Sequence, residues 1–354
     1  ERINSIDILR GFDMLLIVFA DQFFLKLNKG VGSDFTLALA NQFVHPEWFG
    51  FRFYDIIMPL FLFVVGAVIP FSISKYTQNF TKKNILFTKL IKRFIILFVL
   101  GWIVQGNLLD FDPTTFKIFS NTLQAIAVGY VFTTIAYVYL NTTHRHLLFA
   151  SCLIIYALLM TLPLIPGIGR STLLPNANFA IYVDRLIFGS LDDGKQYTWF
   201  LSSLGFTAST LSGLFAGELI KIQKNKIKVF KTLLIYGFIT LLFGLLGNIF
   251  HPIVKKIWSS TFVLVSSGIC YFLMALFYWI IDIKKNVKWS FFLKVIGMNA
   301  ITAYFITHVI PFPKIAGFIL YGLAPYTGNY YDLITVIGGF GILYLLLWYM
   351  YKNK

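Results

Sequence analysis

Residues 45–74 read HPEWFGFRFYDIIMPLFLFVVGAVIPFSIS. After Asp55 no charged side chain appears until Lys75. An uncharged apolar run of that length spans a bilayer as a helix, at about 20 residues per crossing. Directly ahead of it stand His45, Trp48 and Asp55, a cluster of polar and interfacial residues at a membrane boundary. Ionisable groups in such places are costly to desolvate and tend to be functional. Working outward, runs of the same kind recur near 12–28, 54–74, 89–107, 118–140, 147–165, 199–221, 231–250, 258–282, 291–311 and 332–351. The segment 312–325 is apolar but short, interrupted by Pro313, Gly317, Gly322 and Pro325, and reads as a re-entrant piece or an eleventh span. The expected fold is all-α: a polytopic membrane protein of about ten transmembrane helices, forming one domain over 1–354.

Composition agrees. Of 354 residues 58% are hydrophobic and 13% charged, where a soluble domain carries about 25% charged residues. The net charge of +15 would suit nucleic acid, but the basic residues sit in short loops and read as topology signals. One set of loops holds Lys75, Lys82, Lys83, Lys89, Lys92 and Arg93, then Lys221, Lys224, Lys226, Lys228 and Lys231. It continues with Lys284, Lys285, Lys288, Lys294, Lys352 and Lys354; the opposite loops are poorer in basic residues, though Lys255 and Lys256 dissent. The positive-inside rule then places both termini in the cytoplasm, and His45 with the loop 166–198 outside. No cleavable leader is expected, because Asp7, Arg10 and Asp13 interrupt the first apolar segment. Cys152 and Cys270 lie inside apolar runs and suggest neither a disulfide framework nor metal binding. There is no glycine-rich phosphate loop with lysine, no HExxH and no GxSxG elbow, so no metal cofactor and no direct use of ATP is expected.

Several polar residues need a reason. His45 has the chemistry of a general base or nucleophile near neutral pH, or is a loop histidine at the interface. Asp55 either pairs with an imidazole or caps the second span, and one carboxylate is able to do both. Asp21, near the outer end of the first span, orients His45, contacts substrate, or is a solvated helix end. Asp7 and Arg10 have the i, i+3 spacing of a helical ion pair; Asp13 lies deeper, without an evident partner. Asn299 and His308 share the ninth span, about 13 Å apart along a straight helix and facing different ways. Each either serves a site or joins helices. Gly205, Gly213 and Gly217 argue close helix packing in the sixth span.

Ser5-Ile-Asp7-Ile-Leu-Arg10-Gly11 resembles the S-x-D-x-x-R-G opening of transmembrane acyltransferases related to heparan-alpha-glucosaminide N-acetyltransferase. His45, Trp48, Gly50, Asp55, Pro59 and Gly66 match that family's H-x-x-W-x-G-x-x-x-x-D-x-x-x-P-x-x-x-x-x-x-G pattern. Leu123-Gln124 resembles its L-Q-R-I-G region, with Ala125 and Ala127 in place of Arg and Gly. Leu204-Gly205 through Ser209, Lys255-Lys256-Ile-Trp258-Ser259 and Gly297-Met-Asn299 follow collinearly. The resemblance implies acetyl transfer from cytosolic acetyl-CoA to the amine of a glucosamine on the far side of the membrane, with His45 as the critical histidine. Asp55 and Asp21 then serve as its catalytic partners. Arg10, Lys75, Lys92 and Arg93 become candidates for the CoA phosphates, and Trp48, Gln124, Trp258, Asn299 and His308 for substrate or CoA contact. It also implies an amino-sugar or glycan acceptor, a dimeric association and, from the short N-terminal segment, a bacterial homologue in the inner membrane. Asp21 stands where the family often has Asn, and the loop to His45 is long. O-acetylation of a surface polysaccharide and a transporter are the rival readings.

Overall fold

The computed structural model describes residues 3–76, 80–106, 108–109, 112, 115–194 and 197–353, without the side chains of 75 and 80–83. The expected basic residues Lys75, Lys82 and Lys83 thus fall outside the described side chains. Most of the described residues are helical. In order come α1 (Asn4–Leu15), a π turn (Leu16–Ala20), α2 (Asp21–Val31), α3 (Asp34–Gln42), a 3-10 turn (Phe53–Ile56) and α4 (Ile57–Ile73). Next are α5 (Phe80–Gln105), α6 (Thr122–Tyr139), α7 (Thr142–Thr161), a two-stranded ribbon of β1 (Leu164–Ile165) and β2 (Gly169–Arg170), and α8 (Phe179–Phe188). Then follow α9 (Ser202–Ile222), α10 (Lys226–Gly247), α11 (Ser260–Tyr278), α12 (Phe291–Met298), α13 (Ala300–Val309), α14 (Phe312–Ile319), α15 (Ala324–Thr327) and α16 (Tyr331–Lys352). Asparagine starts four of them: the side chains of Asn121, Asn141, Asn178 and Asn225 each accept from a backbone N–H in the first turn. They satisfy donors that a helix leaves orphaned.

Among the described residues, six helices are long and apolar enough to cross a membrane, and seven if α12 and α13 count as one bent span. The expected spans near 12–28, 89–107 and 199–221 fall on helices whose charged or small polar residues lower their hydropathy. Two expectations need correction. The ninth span is not one straight helix: α12 and α13 meet at a 65° bend. Asn299 sits at the break with non-helical φ/ψ, and its Nδ2 donates to the carbonyls of Val295 and Leu347 at 3.2 and 3.3 Å. The side chain satisfies carbonyl groups there, which is how a break is tolerated in an apolar setting. The segment 312–325 is not an eleventh span, since α14 has eight residues and α15 four, about 12 Å at most for the longer.

Two compact units make up the chain. The central unit holds 47–51 and 58–276; the terminal unit holds 3–46, 52–57 and 277–354. In the central unit α4 and α9 touch backbone to backbone: a Cβ on Gly213 would lie 1.8 Å from the Phe63 carbonyl oxygen, and one on Gly66 1.9 Å from that of Thr210. The small residues expected to allow close packing do so. Between α5, α6, α7 and α9 runs an apolar groove of about 910 Å³. In the terminal unit α1 and α12 make the equivalent contact through Gly11 against Leu293 and Gly297 against Asp7.

Candidate active site

The polar stretch ahead of α4 folds into a hydrogen-bonded clamp within the terminal unit. Asp55 is fully buried, and its two oxygens have separate tasks. Oδ2 accepts the backbone N–H of Arg52 at 2.8 Å, capping the 3-10 turn. Oδ1 lies 2.7 Å from Nδ1 of His45, whose side chain is 32% exposed. Both sequence readings of Asp55, cap and imidazole partner, therefore hold. A carboxylate on one ring nitrogen makes that nitrogen the proton-bearing one and leaves the lone pair on Nε2. A buried, doubly bonded carboxylate also stabilises the imidazolium when it forms, as in a catalytic triad.

His45 lies against the ring of Tyr54, centroids 4.9 Å apart. The Tyr54 hydroxyl lies near the carboxylate of Asp21. Asp21 thus joins the cluster through Tyr54, a residue the sequence did not single out although it directly precedes Asp55. Asp21 is also on the wall of a small pocket of about 220 Å³ that includes Gln22, Thr307 and His308. His308 rests on the ring of Tyr304, centroids 4.3 Å apart, with its Nδ1 2.8 Å from the Tyr304 carbonyl.

The π turn has a geometric consequence here. Seven α-helical residues make nearly two full turns. A π turn absorbs one residue more, so the eight-residue step from Asp13 to Asp21 also closes two turns and sets both carboxylates on one helix face. Asp13 is fully buried, and neither of its oxygens has a hydrogen-bond partner among the described residues.

Other expected site residues have local employment. Arg10 pairs with Asp7 at 3.7 Å, as the spacing predicts. Asn299 holds the helix break. Arg93, in the central unit, lies over the ring of Tyr130 at 4.1 Å. Gln124 completes a capping box, accepting from the Ser120 and Asn121 amides and donating to Ile118. Trp258 is buried with a positive φ of 52° and donates to Ser209 Oγ at 3.3 Å. Trp48 donates its indole N–H to the Leu173 carbonyl at 2.7 Å, within a core of Tyr156, Met160, Ala180, Val254 and Ile257.

The central unit adds two groups that the sequence reading passed over. Asp184 on α8 accepts from the amides of Trp199 and Phe200 at 2.6 and 3.0 Å. Burial pushes its carboxyl up to about 7, against the pull of those amides. His251 is buried with both ring nitrogens unpartnered among the described residues, and burial lowers its pKa. Nothing in the spacing of either marks it out. Among the described residues no three His, Cys, Asp or Glu side chains come together as metal ligands would.

Known proteins supply a comparison. Residues 2–106 match a family described as Domain of unknown function (DUF5009). Across 86% of the chain, identity is 23% both to heparan-alpha-glucosaminide N-acetyltransferase of Mus musculus and to that of Homo sapiens. The chain spans about half the length of these curated relatives, 53% and 52%. A multi-pass helical chain with a histidine held on a buried aspartate is, over most of its length, distantly similar to heparan-alpha-glucosaminide N-acetyltransferase.

Proposed function

We propose that this protein is an integral-membrane acyltransferase that passes an acetyl group from acetyl-CoA, on the cytoplasmic side of a bacterial inner membrane, to the amine of a glucosamine-type sugar on the outer side. The observation that carries the reading is the His45–Asp55 pair at 2.7 Å, its carboxylate buried and fixed by a backbone amide. Similarity to an N-acetyltransferase supports the reaction class. His45 Nε2 acts on the reacting centre as base or as transient acetyl carrier. In the carrier route Nε2 attacks the thioester carbonyl, the C–S bond breaks and CoA leaves as thiolate. The acceptor nitrogen then attacks the acetylimidazole and the C–Nε2 bond breaks. Asp55 holds the ring's tautomer throughout and stabilises its cationic form. Basic residues of the cytoplasmic loops attract the CoA phosphates.

The test is transfer from labelled acetyl-CoA to glucosamine by purified protein in detergent, wild type beside His45→Ala. Transfer that vanishes with His45 supports the assignment. Transfer that survives moves the chemistry elsewhere, and absence of acetyl-CoA binding in the wild type sinks the acyltransferase reading. Label trapped on His45 after rapid quench selects the carrier route over direct transfer.

A further inference from the structure

The small pocket of the terminal unit holds an unmet charge. Several other carboxylates have cations: Asp7 has Arg10, Asp332 has Lys26 and Lys29, and Asp192 has Arg185. Among the described residues Asp21 forms no ion pair. Its contacts are the Tyr54 hydroxyl and the amide groups of Gln22. A carboxylate lining a partly apolar cavity without a counter-ion favours a cationic ligand, because the surrounding low dielectric strengthens the attraction.

Beside it stands a base of defined tautomer. The Nδ1–H of His308 donates to the Tyr304 carbonyl at 2.8 Å, an acceptor-only group, so the lone pair is on Nε2. Thr307 of the same wall spends its hydroxyl proton on the carbonyls of Ala303 and Tyr304, which leaves its oxygen as an acceptor. The pocket therefore pairs one anion and two lone-pair acceptors with apolar walls, in about 220 Å³. By liquid volume that is about seven waters, enough for the end group of an acceptor.

We propose that this pocket receives the acceptor's protonated amine, with Asp21 as its counter-ion and His308 Nε2 as the base that takes its proton. The inference rests on the acyl-transfer reading above and makes it specific for amines over hydroxyls. In the step R–NH3+ gives one proton to His308 Nε2, which passes it to solvent. The neutral nitrogen forms its bond to the acyl carbon, the bond from that carbon to its leaving group breaks, and the second amine proton neutralises the departing thiolate or the carrier imidazole. The sum is acetyl-CoA and R–NH3+ in, and amide, CoA–SH and one proton out. His45 keeps the acyl group; His308 prepares the nucleophile, and Tyr54 stands against His45 and near Asp21.

The titratable groups facing His308 are Asp21 across the pocket and Tyr304 beneath its ring. The lining residues from α14 and α16 are Phe312, Pro313, Val336, Gly339, Phe340 and Leu343, none of which titrates. A change in the pH profile after substitution of His308 is therefore read against two groups.

The experiment uses the full chain in detergent, with acetyl-CoA as donor and two acceptors. Glucosamine is largely protonated at the acid end of the pH range; O-methylhydroxylamine is uncharged throughout. For Asp21→Asn the expected result is a KM for glucosamine raised roughly ten- to a hundredfold, as for a lost charge-assisted hydrogen bond, with the KM for acetyl-CoA unchanged and partial rescue by Asp21→Glu. For His308→Gln the glucosamine kcat falls about 10²-fold at the acid end and recovers as rising pH deprotonates the amine. O-Methylhydroxylamine, needing neither counter-ion nor base, is expected to lose far less than glucosamine does with either variant. The proposal is overturned if both variants keep the wild-type glucosamine KM and pH profile, or if both acceptors suffer alike, which marks a structural role. Wild type that acetylates hydroxyl acceptors but no amine overturns it while leaving acyl transfer standing. Wild type that binds no acetyl-CoA removes both.

Discussion

The two units spend their polar side chains differently. In the central unit Trp48, Gln124, Tyr156, Ser202 and Asn178 bond to backbone groups, and Arg145 pairs with Glu218 while also donating to the Leu140 and Tyr137 carbonyls. These side chains close caps, loops and helix contacts. In the terminal unit His45, Asp55, Tyr54 and Asp21 bond or stack on one another, and the last of them borders a pocket with a second histidine. Polar groups that end on the backbone hold a fold together. Polar groups that end on other side chains set orientation and tautomer, as chemistry requires.

The contrast breaks most sharply at His45. His45→Ala is expected to lower acetyl transfer at least ~10³-fold, with a fall in the thermal unfolding midpoint as well, because the buried Asp55 carboxylate loses its imidazole partner. Asp55→Asn comes next, at ~10²–10⁴-fold in kcat, since it frees the wrong tautomer; it also weakens the cap at Arg52, so a modest fall in melting temperature accompanies it. If Asp55→Asn costs stability and no activity, the clamp is structural and the distinction between the units fails.

In the central unit the order reverses. Gly213→Leu is expected to yield no folded protein in size-exclusion chromatography, because even a Cβ there meets the Phe63 carbonyl at 1.8 Å. Trp48→Phe removes one hydrogen bond, to the Leu173 carbonyl, costing about 0.5–1.5 kcal/mol of stability, and kcat per folded molecule should hold. A loss of kcat would restore Trp48 to the site.

A pH-dependent effect belongs to Asp184. Its folded-state pKa is raised to about 7, so between the unfolded value near 4 and about pH 7 the folded state binds the extra proton. Stability from this group is full below pH 4 and is lost as pH climbs through 7. Melting temperatures of wild type and Asp184→Asn from pH 4.5 to 8 should show the wild type losing ground to the variant as pH rises. Parallel curves would show that Asp184 does not titrate in this range.

Much of this was legible in the sequence. The uncharged run after Asp55 and its repeats announce membrane helices, because hydrocarbon admits few other residues. His45 and Asp55 are legible as a pair because they share a family pattern with Trp48 and Gly50, which lie between them, and Pro59, which follows. The Asn299 break was not, since it contains no proline and Gly297 has a second use in packing against α1. Nor were Tyr54 and the pocket at His308. They arise where segments distant in sequence converge, and no local periodicity encodes that meeting. Gln124 and Trp258 show the converse: their places in family motifs coincide with capping and packing duties that suffice to explain them.

The π turn between α1 and α2 makes this helix a counter. Substitutions within 16–20 change what the turn touches, but a change in the number of residues there rotates everything before it against everything after it, by about 100° for each one. Asp7, Gly11 and Asp13 would swing away from the phase that Asp21 keeps, and the Gly11 contact with α12 would be lost along with the pocket wall. Length, more than identity, is what this stretch is obliged to preserve.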